Sequence, residues 1–479
     1  MMSIGWSRML LVRGLLFVAC FSYSISMAVE KKVDDAQIKS RFETLELFNK
    51  VLHTIETQYY REVDTDKLIQ GALKGMMDTL DPHSAFLDKN VFEKMQEDTK
   101  GEFGGLGIEV TQRDGVIVII TPIEDSPAFN AGLLPGDKII EINHENVVGI
   151  SLEKAIDMMK GDKKSKVNLG IVREGSDVTK YFTIKREIIK TKAIKTQLLG
   201  DNIIYLRLSQ FQQRAGQEVE DAIKKHYAEL GKSKKTPRGV VLDLRFNPGG
   251  LLEEAVNVAS IFLKDGIVVS TEGRNKNEKE FRYVKKDLYK ELKLPLAVLI
   301  NGASASASEI VAGAIQDAKR GLIMGTRSFG KGSVQQVSKI DDEKGLKLTI
   351  AQYMTPNGKK IQAIGIRPDV ELGEIDSSWL NKHYKNTNFL REKDLRNHLT
   401  ATKETAEEKV VREEMEKEER IARAESLEES KRKKSEQDSE EKDQIFKKYE
   451  PAEDYQVVQA VNYLQSFDLF LEIKLPANK

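Results

Sequence analysis

The chain has 479 residues, with 75 Lys and Arg balanced by 75 Asp and Glu and a formal net charge of zero. That length exceeds a single hydrophobic core and implies two or more domains. The neutral balance, with no basic patch interleaved with aromatics, argues against a nucleic-acid partner, and a single cysteine, Cys20, excludes a disulfide framework.

Residues 1–28 read as a secretory signal: Arg8 and Arg13 supply positive charge, LLFVACFSYSI an apolar core, and Ser26-Met27-Ala28 small residues for cleavage. A retained anchor is the alternative, but the apolar run is short for a spanning helix. Acylation of Cys20 is a further alternative, set against by Phe17 and Val18. Cleavage after Ala28 leaves a chain with no thiol, hence no cysteine nucleophile, and implies an exported, periplasmic or extracytoplasmic protein.

An N-terminal helical region is expected over 29–100. Phe42, Leu45, Phe48, Leu52, Ile55 and Tyr59 recur at helical spacing over 36–60, and Leu68, Ile69, Ala72, Leu73, Met76, Met77 and Leu80 over 66–80. Asp81-Pro82 stops the second helix. His83, in Asp-Pro-His-Ser, reads as a turn residue because no second histidine or carboxylate motif accompanies it.

At Gly101 the period changes to strand-like alternation, with an Arg-Asp-Gly turn, a short helix after Ser126, a helix capped by Ser151 and a hairpin over 166–187. This stretch, 101–187, resembles a PDZ domain, with Gly105-Leu106-Gly107-Ile108 as the loop that receives a peptide carboxylate. The glycines offer amides to the anion, a sheet edge offers backbone pairing, and Leu106 and Ile108 line an apolar pocket.

Residues 188–378 read as an α/β core. Strands near DNIIYLRLS, GVVLDLR, PLAVLI and GLIMG alternate with helices near 214–230, 251–263 and 307–319, the last stopped by Gly321. LKLTIAQYMTPNGKKI reads as a hairpin with an Asn-Gly turn. Asp243 and Arg245 read as a structural charge pair at a strand end.

The candidate chemistry lies over 301–335. Ser306 and Ser308 stand where a strand ending in Asn301-Gly302 meets a helix, beside free amides that stabilise developing negative charge. A serine there is ordinarily a cap. Lys331, between Gly330 and Gly332, is the candidate base, since a lysine held from water loses its proton more readily. None of the six histidines has a comparable setting.

These residues resemble the C-terminal processing peptidases, also called tail-specific proteases, over nearly the whole chain. SASASE resembles the family's nucleophile segment and GKG-x-x-Q its base segment; the family spacing of 25 residues to the lysine selects Ser306. Gln335, rather than the adjacent Gln336, takes the position that orients Lys331, one helical turn or so on. The DLR-x-NPGG signature implies an oxyanion hole from the Gly250 amide, or that of Gly249, with the Ala307 amide. Arg173 matches an arginine that in some members couples peptide binding to catalytic alignment.

The resemblance thus implies an α/β multidomain protein: a crotonase-like protease core, an inserted PDZ domain, and N- and C-terminal helical regions. It implies a serine endopeptidase needing no metal or cofactor, with protein or peptide substrates bearing free C-termini, an adaptor protein in some cases, and a dimeric homo-oligomer. A silent peptide-binding scaffold and a carrier of apolar ligands are the other readings of this architecture. Within 379–450 the stretch from Arg391 to Lys448 is dominated by Glu, Lys and Arg and cannot bury a core, reading as a solvated helix or disorder. Residues 451–479 regain helical spacing at Val457, Ala460, Val461 and Leu464, a helix expected against the core or a second subunit.

Overall fold

The computed structural model describes residues 35–113, 115–123, 125–173, 178–200, 202–275, 278–341, 343–373, 391–395, 397–399 and 449–472. The signal segment and nearly all of the charged stretch lie outside them. Two compact units divide the chain, residues 1–75 and 76–479. The expected N-terminal helices are α1 (Asp35–Gln58) and α2 (Thr65–Asp78). Among the described residues no helix is long and apolar enough to cross a membrane.

In the second unit β1 (Ala85–Leu87) leads to α3 (Lys89–Lys100), which Asp88 caps by accepting from the Val91 amide. Next come β2 (Glu102–Gly105), β3 (Ile108–Arg113), β4 (Val116–Pro122), α4 (Pro127–Asn130), β5 (Lys138–Ile142) and β6 (Glu145–Asn146). Helix α5 (Leu152–Met159), β7 (Lys166–Val172), β8 (Lys180–Lys185) and β9 (Glu187–Lys190) complete this part. Ser151 caps α5 as its sequence setting predicts, and Ser126 caps α4 in the same way. The sheet runs β3-β4-β5-β7-β8, with β3 at one edge, and Ile117, Ile119, Ile139, Leu169 and Ile171 fill its core. A separate β2–β9 pair stands where the chain enters and leaves this sheet.

The larger part is a six-stranded sheet, β10 (Ile194–Leu199), β11 (Ile203–Leu208), β12 (Gly239–Asp243), β15 (Leu296–Ile300), β16 (Leu322–Gly325) and β19 (Val370–Glu371), in that spatial order. All neighbours are parallel except β10 with β11. Both faces are buried, so the strands read as continuous apolar runs. One face, through Ile204, Leu206, Leu242, Val298 and Ile300, packs on α6 (Ala215–Lys232), α7 (Leu252–Phe262) and α8 (Ala307–Asp317). The other, through Ile203, Tyr205, Val241, Ala297 and Leu299, is covered by Val457, Ala460, Val461 and Leu464 of α9 (Tyr455–Glu472). The C-terminal helix therefore packs on the core of its own chain. Arg245 ties it down, meeting Asp243 at 2.7 and 2.9 Å, Asp454 at 2.9 Å and Gln456 at 2.8 Å.

The second core sheet differs from expectation. β13 (Ile267–Gly273) and β14 (Lys279–Tyr283) form a hairpin, and β17 (Ser333–Lys339) and β18 (Gly345–Met354) another. The expected hairpin around Asn357-Gly358 shrinks to a single bridge, Met354 to Lys360, because β18 takes β1, β13 and β17 as its partners. Helix α8 also ends four residues before Gly321, with Lys319 in the left-handed region (φ 50°). Gly321 instead serves close packing, since a Cβ there would stand 2.6 Å from the Leu296 carbonyl oxygen.

Candidate active site

The turn after β15 is fixed by its own serines. Ser304 Oγ donates to Leu244 O (2.8 Å) and accepts from the Asn301 amide (2.9 Å), while Ser308 Oγ donates to Asn247 O (2.9 Å). Both hydroxyls are spent on backbone. Ser306, between them, caps α8 with φ 55° and ψ −111°, an unfavourable conformation for a residue with a Cβ. Its hydroxyl stands against the hydroxyl of Tyr353, whose proton affinity burial pushes up to about 12 although Ser306 opposes the rise.

Lys331 lies in the loop between β16 and β17. Gly332 is mandatory there, since a Cβ would sit 2.3 Å from the Gln362 backbone nitrogen. Burial draws the lysine below its ordinary range and the Lys347 charge adds to this, against Glu392, Glu309 and Asp81. Such a lysine holds its proton less tightly than one in water.

Glu309 joins the two segments. Its Oε2 accepts from the Ser306 amide (2.8 Å) and the Lys331 amide (2.9 Å); its Oε1 accepts from the Gly330 amide (2.8 Å) and Ser328 Oγ (2.5 Å). The carboxyl is fully buried, and burial pushes it up to about 7 despite those hydrogen bonds. One side chain thus fastens the backbones of the candidate nucleophile and the candidate base. Among the described residues no hydrogen bond joins the Ser306 hydroxyl to the Lys331 amine.

The Asn-Pro-Gly-Gly turn packs against the same serine turn. Asn247 O accepts from the Ala305 amide (3.0 Å), and Asn247 Oδ1 takes the Gly249 amide (2.9 Å). That removes Gly249 as an oxyanion donor. Gly249 lies so close that a Cβ would stand 2.8 Å from Ser306 Cβ and 3.1 Å from the Ala307 nitrogen. Gly250 is exposed, and among the described residues neither its amide nor that of Ala307 meets an acceptor.

Gln335 lies on strand β17, so no helical turn separates it from the lysine as the family pattern suggested. Its Nε2 donates to Ser333 Oγ (2.8 Å) and at the limit of reach to Thr349 Oγ1 (3.4 Å). Gln336 is exposed, whereas Gln335 is half-buried.

In the loop before β3, Leu106 is buried, its carbonyl accepts from the Ala128 amide (3.0 Å), and the Gly107 carbonyl accepts from the Ile123 amide (2.8 Å) and Ser126 Oγ (3.0 Å). Gly105 ends β2, and Ile108 opens β3 at the sheet edge, partly buried against the same apolar cluster. Arg173 forks onto Asp137 (2.7 and 2.8 Å) and reaches the Gly132 carbonyl (3.0 Å), so its bonds run to the turn between α4 and β5.

Sequence reasoning missed Glu309 and Tyr353. The signal for Glu309 was present, because Ser-x-x-Glu at a helix start is a capping-box spacing; Tyr353 is brought in by strand pairing and left none.

Residues 202–372 match peptidase family S41, 104–184 a PDZ domain and 13–91 the N-terminal domain of the activating protease CtpB. A carboxy-terminal-processing protease of Bartonella bacilliformis is 42% identical over 393 residues, covering 81% of this chain and 88% of that one. The carboxy-terminal processing protease CtpA of Bacillus subtilis is 34% identical over 333 residues, 69% of each chain. Among solved structures, a photosystem II D1 C-terminal processing protease aligns with 29% identity and a TM-score of 0.39, over 68% of this chain and 92% of that one. The chain belongs to the carboxy-terminal processing proteases of peptidase family S41, serine-type peptidases carrying a PDZ domain.

Proposed function

We propose that the chain is an exported endopeptidase that draws apolar, free C-termini into the loop Gly105–Ile108 and cuts them with a Ser306–Lys331 dyad on a crotonase-like core. The observation that carries this reading is the Glu309 carboxylate, which takes the Ser306 and Lys331 amides on one oxygen. Neutral Lys331 removes the Ser306 proton as Oγ attacks the scissile carbonyl, and the amides of Gly250 and Ala307 receive the oxyanion. The lysine then passes its proton to the leaving amine, giving an acyl-enzyme. Water attacks the ester with Lys331 again as base, and the acid product leaves with Ser306 restored. Gln335 orients Lys331 in this scheme, and Arg173 links peptide capture to the core. The side-chain contact between Ser306 and Lys331 forms when substrate displaces the hydroxyl from Tyr353, in keeping with catalytic hydrogen bonds that tighten on binding.

No step calls on a metal or cofactor. We further propose that an adaptor delivers substrates and that the enzyme works as a dimer. The test is cleavage of an unstructured protein with an apolar C-terminus by the chain from Val29, beside Ser306→Ala and Lys331→Ala. Cleavage by the wild type alone supports the dyad; equal cleavage by both variants overturns it.

A further inference from the structure

The Asp-Pro-His-Ser turn that reads from sequence as a mere helix stop reaches the base loop through His83 and strand β17 after it through Asp81. Asp81 closes the turn on itself, accepting from the His83 and Ser84 amides (2.8 and 2.9 Å) and from Ser84 Oγ (2.7 Å). It also accepts from Thr349 Oγ1 (3.0 Å), the hydroxyl that Gln335 Nε2 approaches at 3.4 Å. His83 Nε2 bridges the two oxygens of Glu392 at 2.7 and 2.8 Å. Glu392 is fully buried, and its Oε1 accepts from Gln362 Nε2 (2.9 Å). Gln362, equally buried, uses its Oε1 to take the Gly332 amide (2.9 Å), the residue after Lys331.

His83 and Glu392 both lie outside the segment that matches the peptidase family, residues 202–372, whereas Gln362 and Gly332 lie within it. A buried carboxylate with no role in the core's own packing is costly unless its hydrogen bonds are all made. Glu392 makes them to one histidine from before the PDZ domain and one glutamine beside the base.

We propose that His83, Glu392 and Gln362 are positioning residues for the base, a relay that fixes the Gly332 amide and through it the placement of Lys331. The inference rests on Lys331 being the base. It assigns a task to the short segment that carries Glu392, whose amide also reaches the Phe329 carbonyl (3.4 Å) in the same loop. The charged groups that face Lys331 are Lys347 of β18, Glu309 of α8, Asp81 of the turn and Glu392. Removing the Glu392 charge therefore leaves a lysine that gives up its proton at lower pH.

The test uses the full chain with Ser306→Ala, Gln362→Ala, His83→Ala, His83→Gln and Glu392→Gln, following steady-state cleavage of one unstructured protein with an apolar C-terminus across pH. Thermal melting runs in parallel. For Gln362→Ala and His83→Ala we expect kcat to drop roughly tenfold or more with KM little changed, since small misplacements of a catalytic group are that costly. The melt should stay cooperative but shift down, because each variant strips a partner from buried Glu392. His83→Gln, which keeps a side-chain N–H for Glu392, should recover most of the rate. The acid limb of Glu392→Gln should move to lower pH. Wild-type kcat and pH profile in Gln362→Ala and Glu392→Gln overturn the relay, as does a rate loss that only tracks loss of the cooperative melt. If Ser306→Ala cuts as well as the wild type, the dyad reading itself fails, a result distinct from either.

Discussion

Adding one methyl group at Gly332 tests how tightly the base must be held. The new Cβ would meet the Gln362 nitrogen at 2.3 Å and its Cα at 2.8 Å, and both atoms are backbone. No rotamer relieves that contact. The two chain segments must part by about 1 Å to reach ordinary van der Waals separation, which costs about 1–3 kcal/mol of stability as an overpacking defect. Gly332 is also bonded on both sides, its amide to Gln362 Oε1 (2.9 Å) and its carbonyl to the Tyr353 amide (2.6 Å), so the shift reaches Lys331 and Tyr353 together. A displacement of that size at a catalytic group lowers kcat by about 100-fold, or about 3 kcal/mol in the barrier. Steady-state cleavage and thermal melting of Gly332→Ala measure both numbers. Gly71→Ala is the control: nothing lies within 4 Å of its added Cβ in α2, so activity should hold and stability rise by about 0.5–1 kcal/mol. A Gly332→Ala enzyme with kcat within about twofold of wild type would refute the reasoning, because the loop would then tolerate a shift the mechanism forbids.

Three further outcomes follow from charge and burial. Lys331 is drawn below 10.5, so activity should persist at pH values where an ordinary lysine is charged and fall as pH drops through the lowered value; a kcat/KM profile flat in acid would count against it. Arg245→Met strips the partner from fully buried Asp243 and cuts the tie to Asp454, and should cost about 3–5 kcal/mol in urea unfolding; a change under about 1 kcal/mol would remove the structural role. Burial pushes Glu309 up to about 7 from its ordinary 4.5, so the folded state binds its proton more tightly. The stability this gives is full below 4.5 and lost as pH rises through about 7. Glu309→Gln should lack that loss, and urea midpoints for both proteins at about pH 5 and about pH 8 that change in parallel would show the assignment wrong.

The parts legible in the sequence are those in which one segment carries its own reason. The apolar runs of β11, β12, β15 and β16 are buried on both faces and so read plainly as core strands. Ser151 accepts from the Lys154 amide within its own turn, and a capping residue next to its helix leaves a local mark. The serine turn was half legible: three similar serines stand in a row, and only the bonds of Ser304 and Ser308 to Leu244 and Asn247, some 60 residues away, set Ser306 apart. Likewise Gly249 and Gly250 are indistinguishable until the Asn247 side chain takes one amide and leaves the other. The β13–β14 and β17–β18 hairpins were missed because their strands are mixed in polarity and gain order from one another. His83 and Glu392 are separated by 309 positions, and no local pattern announces a contact of that span.

The three acids around Lys331 explain how a base can sit among carboxylates and remain a base. A carboxylate in direct contact would hold the lysine charged and unable to accept a proton from serine. Each of the three is already engaged: Glu309 by three amides and a hydroxyl, Asp81 by its own turn and Thr349, Glu392 by His83 and Gln362. Among the described residues none of them forms an ion pair with Lys331. Their negative charge reaches the amine only through space, where burial and Lys347 oppose it, and the outcome is a lysine lowered rather than raised. The same hydrogen bonds that keep the acids from pairing with the base fix the backbone on both sides of it. Position and proton affinity are therefore set by one group of contacts, and a substitution in any of the three carboxylates should move the rate and its pH dependence together.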